Sequence, residues 1–411
     1  MTFSNKHTAL LTVVIICLIF SGCSLIKVRE QSDIIESVGK ITGSVEVVGS
    51  QQGTVIVLRF RDDNGHPVLI SHLPTTEKGD YMFDVAPGKY YIAAFVDFNG
   101  DQQYQKNEHG NFWGTPSIIE VQEKQTVNIE PLIISGPMPK PDSDLKVRKN
   151  ILKIVENIGS VTTITDPAFT NENYSMGMWH PVDFLEKVGG GLFLLQPYET
   201  GKTPVLFIHG FNGGPPVWQP AIESLDSEKF QPWVLYYPSG LRLDMISDYL
   251  LQAVATLQDR YNFNQLSVAA HSMGGLVTRS FIKKCQEKYP LVAKKINLVM
   301  TVNSPMGGMS SAAKGVNHSP IVVPAWIDVA PESAFLKNIH EWMWPDEIPY
   351  HLVFSFKTGG SNDGTVSLKS QIPLQLQEES VRMYGFNNDH TGTLKDPYFI
   401  SLFNELLNNR L

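Results

Sequence analysis

The sequence predicts a chain of two parts: a small all-β sandwich, then an α/β unit on a doubly wound, mostly parallel sheet. Three observations predict this. Between Gly39 and Ser135, short strand-like runs are separated by turn signals such as Asp63-Asn64-Gly65 and Pro87-Gly88-Lys89. From Gly189 onward, apolar strand-like runs alternate with segments of helical spacing, the pattern of a parallel sheet covered on both faces. Between the two lies Gly136-Pro137-Met138-Pro139-Lys140-Pro141, a proline-rich boundary. At 411 residues the chain is long for one domain, and a hydrophobic share of 42% with 18% charged residues describes an ordinary globular protein. A net charge of -8 argues against nucleic acid as a partner, because phosphate binding needs a basic face.

The chain opens with Lys6 and an apolar run from Ala9 to Phe20, too short to span a bilayer comfortably and patterned as a secretory signal. Phe20-Ser21-Gly22-Cys23-Ser24 follows, and small residues before a cysteine resemble the lipobox of bacterial lipoproteins. The resemblance implies cleavage before Cys23, lipid on its thiol, and a membrane-anchored protein of the bacterial cell envelope. Serine after the cysteine points to the outer membrane. Phe20 departs from the leucine usual at its position. Residues 1–22 thus read as a signal peptide and 23–38 as a polar tether. Of the other cysteines, Cys17 falls in the signal and Cys285 on a helix, so no disulfide framework is available.

Residues 39–135 form the sandwich module. Its strands are Ile41–Val48, Thr54–Phe60, Gly79–Val85, Lys89–Asp97, Ser117–Val121 and Gln125–Ile129. The runs Gly79-Asp80-Tyr81-Met82-Phe83 and Ala86-Pro87-Gly88-Lys89-Tyr90-Tyr91 resemble prealbumin-like or carboxypeptidase-regulatory-like modules. One loop has possible ion chemistry: Asp97, Asn99, Asp101 and Glu108 stand at positions 1, 3, 5 and 12 of a calcium loop, although its glycine is misplaced and flanking helices are lacking. A structural calcium ion and a solvated acidic loop are both open readings. Residues 136–143 are the linker, and Asp144–Ile158 has helical spacing. Thr162–Val188 is irregular and aromatic, and is expected to pack over the second domain, residues 144–411.

That domain reads strand (Pro204 to Ile208), helix (Val217–Leu225), strand (Trp233–Tyr237), helix (Met245–Tyr261), strand (Leu266–Ala270), helix (Leu276–Lys288) and strand (Ile296–Asn303). An apolar excursion at 306–345 with Trp326, Phe335, Trp342 and Trp344 comes next. Strands His351–Phe356 and Arg382–Gly385 and a last helix, Tyr398–Leu407, complete it.

Ser272 is the chemical centre. It stands in Ala270-His271-Ser272-Met273-Gly274, between a buried strand and a helix, where small flanking residues permit a sharp turn that projects the hydroxyl from the sheet. Its base is His390, beyond the last strand, where loops at carboxyl ends of parallel strands gather reacting groups. Asp363, in the turn-rich loop Thr358 to Val366, is the acid that would orient that base, with Asp389 the runner-up. The oxyanion donors are the backbone N–H of Met273, directly after the nucleophile, and of Phe211, after the strand ending His209-Gly210. His209 reads as support for that loop, and His271 as pointing away.

The residues His209-Gly210-Phe211, His271-Ser272-Met273-Gly274-Gly275, Asn303-Ser304-Pro305-Met306-Gly307-Gly308 and Asn362-Asp363-Gly364 together resemble the α/β-hydrolase superfamily, in its lipase and esterase branch. Ala270 stands where many members have glycine. The resemblance implies a serine carboxylic-ester hydrolase working through an acyl-enzyme, with an ester or lipid substrate and no required cofactor. A thioesterase, phospholipase or acyltransferase of the same fold, or a non-catalytic envelope-binding lipoprotein, are the alternatives. The excursion serves as acyl pocket or lid, or simply packs the domain.

Overall fold

The computed structural model describes residues 25–49, 52–76, 78–114, 117–138, 148–149 and 152–410. The signal peptide, Cys23 and most of the linker lie outside the described residues.

Seven strands build the sheet that carries the site: β1 (Gly191–Leu194), β2 (Thr203–Ile208), β3 (Phe230–Tyr236), β4 (Leu266–His271), β5 (Ile296–Val302), β6 (Tyr350–Phe356) and β7 (Arg382–Asn387). Their order is β1-β3-β2-β4-β5-β6-β7. Only β1 runs antiparallel to its neighbour. This is the α/β-hydrolase architecture. Strands β2 and β4 are buried along their whole length, which is why they read as unbroken apolar runs. Alternate side chains serve opposite faces. Leu206 and Ile208 join helices α1 (Leu243–Tyr261) and α2 (Met273–Lys288) in one core. Val205 and Phe207 join the C-terminal helix α3 (Pro397–Asn408) in the other. The chain leaves β2 toward β3 on one side and returns to β4 on the other, so the loops after β2 and β4 open onto the crevice at this switch point.

The N-terminal strands form two sheets. Gly39–Val47 pairs antiparallel with Asp80–Val85 and parallel with Thr126–Asn128 and Leu132–Ile134. Thr54–Asp63 lies between His66–Pro74 and Gly88–Asp97. Ile41 and Phe83 of the first sheet share one core with Val57, Ile92 and Ala94 of the second. The sequence reading lacked His66–Pro74, a strand with a proline at its second and last positions. Among the described residues it pairs on its far side only with Arg148–Lys149, a place near a sheet edge where prolines are accommodated.

Further segments differ from the sequence reading. Residues 25–36, within the stretch read as a polar tether, are helical. Val28, Gln31 and Ile35, at helical spacing, are buried, and the polar composition belongs to the outer face. The linker begins inside the first part, because Gly110 N–H donates to Gly136 O at 3.0 Å. Of the helix expected over 144–158, only Lys153–Glu156 is helical among the described residues, and Arg148–Lys149 adds to the N-terminal sheet instead.

The acidic loop at 97–108 turns its carboxylates onto its own backbone. Among the described residues, no three His, Cys, Asp or Glu side chains are grouped to hold a metal ion. Asp97 accepts from the N–H groups of Asn99, Gly100 and Gln102, Glu108 from those of Phe98 and Gln105, and Asp101 from that of Gln103. Asn99 Nδ2 turns to Asp101 at 3.0 Å. The loop so folded docks onto α1, with Gln102 Nε2 donating to Thr256 O at 3.3 Å and Asp259 at 3.2 Å.

Candidate active site

Ser272 occupies the turn between β4 and α2 with φ 55° and ψ −130°. A non-glycine residue at such angles costs about 1–3 kcal/mol and persists only where its surroundings fix it. Here they do. A side-chain carbon on Gly274 would lie 2.5 Å from His209 O, and one on Gly210 would lie 2.7 Å from Ser272 Cβ. Ala270 is fully buried, so a methyl group is accommodated where glycine is common.

His390 Nε2 lies 2.9 Å from Ser272 Oγ. Its Nδ1 lies 2.7 Å from Asp363 Oδ2. The sequence-predicted nucleophile, base and acid are thus brought together from the loops after β4, β7 and β6. Asp363 is fully buried. Its Oδ1 accepts from the N–H groups of Thr365 (2.8 Å) and Val366 (2.7 Å), and its Oδ2 also accepts from Gln371 Nε2 at 3.3 Å. Burial would raise this carboxyl, but the hydrogen bonds from His390 and Val366 outweigh it and hold the group below its usual range. The runner-up, Asp389, instead accepts from Thr391 N–H and Gly392 N–H.

Two histidines beside the site, His209 and His271, are structural. His209 is buried and stacks on Tyr237 at 4.2 Å. Its Nδ1 bonds Gly210 O at 2.8 Å, and its Nε2 accepts from Tyr237 N–H at 3.4 Å. Burial pulls its pKa down to about 4. His271 does not point away from the site. Its ring centroid lies 4.7 Å from that of His390, and its Nε2 donates to His390 O at 2.9 Å. Burial and the neighbouring His390 pull it down to about 3, so it stays a neutral donor. Asn303 Nδ2 donates to the same carbonyl at 2.9 Å. Sequence reasoning missed this pair of positioning groups; the available signal was a polar residue, Asn303, directly after the buried strand β5.

Met273 opens α2, where the first N–H groups have no intrahelical partner. Phe211 follows Gly210, whose backbone lies against Ser272. Both line a cavity of about 270 Å³ that reaches Ser272 and is walled by Met309, Ala312, Trp326 and Val329. The excursion therefore divides its labour. Trp326 faces this cavity, while Phe335, Leu336 and Trp344 are buried in the core. A larger cleft of about 610 Å³ lies between the two parts and includes none of Ser272, Asp363 and His390.

A family model described as "Putative serine esterase (DUF676)" matches residues 241–337, a stretch that includes Ser272 and the cavity-lining residues of the excursion. The chain is a serine hydrolase of the esterase and lipase type. No curated protein matches it. Among solved structures, the mature lipase BlEst2 of Bacillus licheniformis is similar at 17% identity and TM-score 0.43, covering 53% of this chain and 97% of that one. Aspergillus fumigatus lipase B is similar at 15% and 0.41, covering 52% and 54%. An esterase of Pyrococcus furiosus is similar at 16% and 0.37, covering 51% and 82%. At these values the likenesses carry no argument, and the chemistry rests on the atoms of the site.

Proposed function

We propose that this hydrolase cleaves carboxylic esters through a Ser272-His390-Asp363 triad and an acyl-enzyme, anchored to the bacterial outer membrane by lipid on Cys23. The observation that carries the catalytic reading is the Ser272 Oγ to His390 Nε2 contact of 2.9 Å at the end of an apolar cavity. Ser272 Oγ attacks the ester carbonyl carbon as His390 Nε2 takes its proton. The resulting oxyanion is held by the N–H groups of Met273 and Phe211. His390 then protonates the departing alcohol, leaving the acyl group on Ser272. Water, deprotonated by His390, attacks the acyl carbon, and His390 returns that proton to Ser272 Oγ as the acid leaves. Nothing in this sequence of steps calls for a cofactor. Asp363 keeps the Nδ1 proton in place and balances the imidazolium. The anchor reading rests on the lipobox-like residues 20–24, and the N-terminal sheets are read as a β-sandwich module that stands between anchor and enzyme in the sequence.

The test compares wild type with Ser272→Ala on 4-nitrophenyl esters of increasing length. Loss of hydrolysis together with loss of fluorophosphonate labelling is expected. Equal rates for the two proteins would remove the enzymatic reading and return the chain to an envelope-binding role. Hydrolysis of thioesters or phospholipids in preference to simple esters would redirect the substrate. Incorporation of a radiolabelled fatty acid at Cys23, absent from Cys23→Ala, tests the anchor.

A further inference from the structure

One wall of the cavity at Ser272 carries a buried carboxylate, Asp328, paired with Arg242. Trp326 and Val329 lie on a helix of six residues, Pro324–Val329. A helix this short does not hold itself, and its N-cap, Val323, makes no side-chain cap bond. The same helix carries Asp328 near its C-terminal end, where the dipole disfavours an anion. The Asp328 side chain is only 1% exposed. Its partner is Arg242, immediately before α1. Arg242 Nε lies 3.0 Å from both carboxylate oxygens and Nη2 lies 2.7 Å from Oδ1. Leu243 N–H adds a bond of 2.7 Å to Oδ2. From the other edge of the guanidinium, Nη1 donates to both oxygens of Glu36, at 3.1 and 3.2 Å. Glu36 lies on the N-terminal helix at 25–36. That helix also touches the segment leading into Pro324–Val329, where Ser32 Oγ donates to Val322 O at 3.2 Å.

We propose that Arg242 is a positioning residue for acyl-chain preference, and that the N-terminal helix acts on the cavity through the Glu36-Arg242-Asp328 relay. This rests on the esterase reading of Ser272 and deepens it by naming what fixes the acyl subsite. A cavity of 270 Å³ holds about nine water-sized groups at about 30 Å³ each. An octanoyl chain therefore fills it and meets the wall that Trp326 and Val329 form, whereas an acetyl group occupies little of it. Loosening the wall penalises the long chain selectively. The segment following Cys23 thereby becomes part of the specificity device rather than a passive spacer.

The test measures kcat and KM for 4-nitrophenyl acetate and octanoate on single preparations of the full chain, for wild type, Arg242→Gln, Arg242→Lys and Glu36→Gln. The octanoate-to-acetate ratio of kcat/KM is independent of the folded fraction. It is expected to fall about tenfold in Arg242→Gln through the octanoate KM, by analogy with the loss of one apolar contact in a pocket. Arg242→Lys restores part of it. Glu36→Gln, which leaves the Arg242–Asp328 pair intact, lowers it severalfold. Ratios within about twofold of wild type in both Arg242→Gln and Glu36→Gln, in enzyme whose Ser272 still takes a fluorophosphonate, would overturn the relay and spare the esterase. Failure of wild type to take the probe would sink the esterase reading, and the relay with it.

Discussion

Replacing Asp363 with asparagine tests the site most sharply, because the surrounding hydrogen bonds dictate how the new side chain must sit. Asp363 Oδ1 accepts from the N–H groups of Thr365 and Val366 at 2.8 and 2.7 Å. An asparagine carbonyl would take that position, since an amide NH₂ there would face two donors. Its NH₂ then replaces Oδ2, 2.7 Å from His390 Nδ1. Nδ1 can only accept from it, so the imidazole proton moves to Nε2, which faces Ser272 Oγ at 2.9 Å. A protonated Nε2 cannot take the serine proton. The geometry survives and the tautomer is wrong, a change that lowers kcat about 10⁴-fold in serine hydrolases, or about 5 kcal/mol of transition-state stabilisation. Stopped assays on 4-nitrophenyl acetate, with fluorophosphonate labelling rates alongside, read the loss. Circular dichroism checks that the fold is kept. A folded variant within about tenfold of wild type would refute the assignment of Asp363 as the group that sets the tautomer.

Other consequences follow from the same contacts. Gly274→Ala places a carbon 2.5 Å from His209 O and 2.9 Å from Ile208 O, both backbone atoms, so esterase activity falls and stability drops by about 1–3 kcal/mol in urea titrations; an active variant with unchanged midpoint would contradict the turn geometry. Arg279 and Glu379 form a buried pair at 2.6 Å with side chains 1% and 3% exposed, so Arg279→Gln strands the carboxylate and costs about 3–5 kcal/mol. Adding Glu379→Gln should recover part of that loss, and a double variant as unstable as the single one would count against the pairing. Acid destabilises the fold through its buried histidines. Folded His209 titrates at about 4 and His271 at about 3, whereas unfolded histidine titrates at about 6.5. Between those values the unfolded chain binds protons that the folded chain does not, so stability is full above pH 6.5 and declines as pH falls toward 4. Asp363, held below its usual range, adds loss of the same sign at lower pH. Scanning calorimetry from pH 7 to 4.5 should therefore show a falling Tm, and a flat profile would refute the neutral, buried histidines.

The strands of the central sheet were legible because burial on both faces leaves an apolar run with turn residues at each end, as Leu266 to Ala270 illustrates. His66–Pro74 was missed because its prolines argue against a strand until the sheet shows it has few partners on its far side. The N-terminal helix was misread because only Val28, Gln31 and Ile35 are buried, a stripe too sparse to stand out in a polar stretch. The 97–108 loop has the spacing of a calcium ligand set, but spacing does not reveal that the carboxylates accept from their own backbone N–H groups.

By itself the sequence determined the alternation of strands and helices, the small residues around Ser272 and the chain order Ser272, Asp363, His390. Each depends on local sterics or on a periodicity written along the chain. Tertiary structure decided what depends on distance between segments far apart in sequence. It put His390 between Ser272 and Asp363, turned His271 and Asn303 onto the His390 carbonyl, and chose Trp326 for the cavity while sending Phe335 and Trp344 to the core. It also joined Glu36 to Asp328 through Arg242. An apolar side chain carries the same sequence signal whether it lines a substrate cavity or fills a core, because both remove it from water. Only the packing around it tells the two apart.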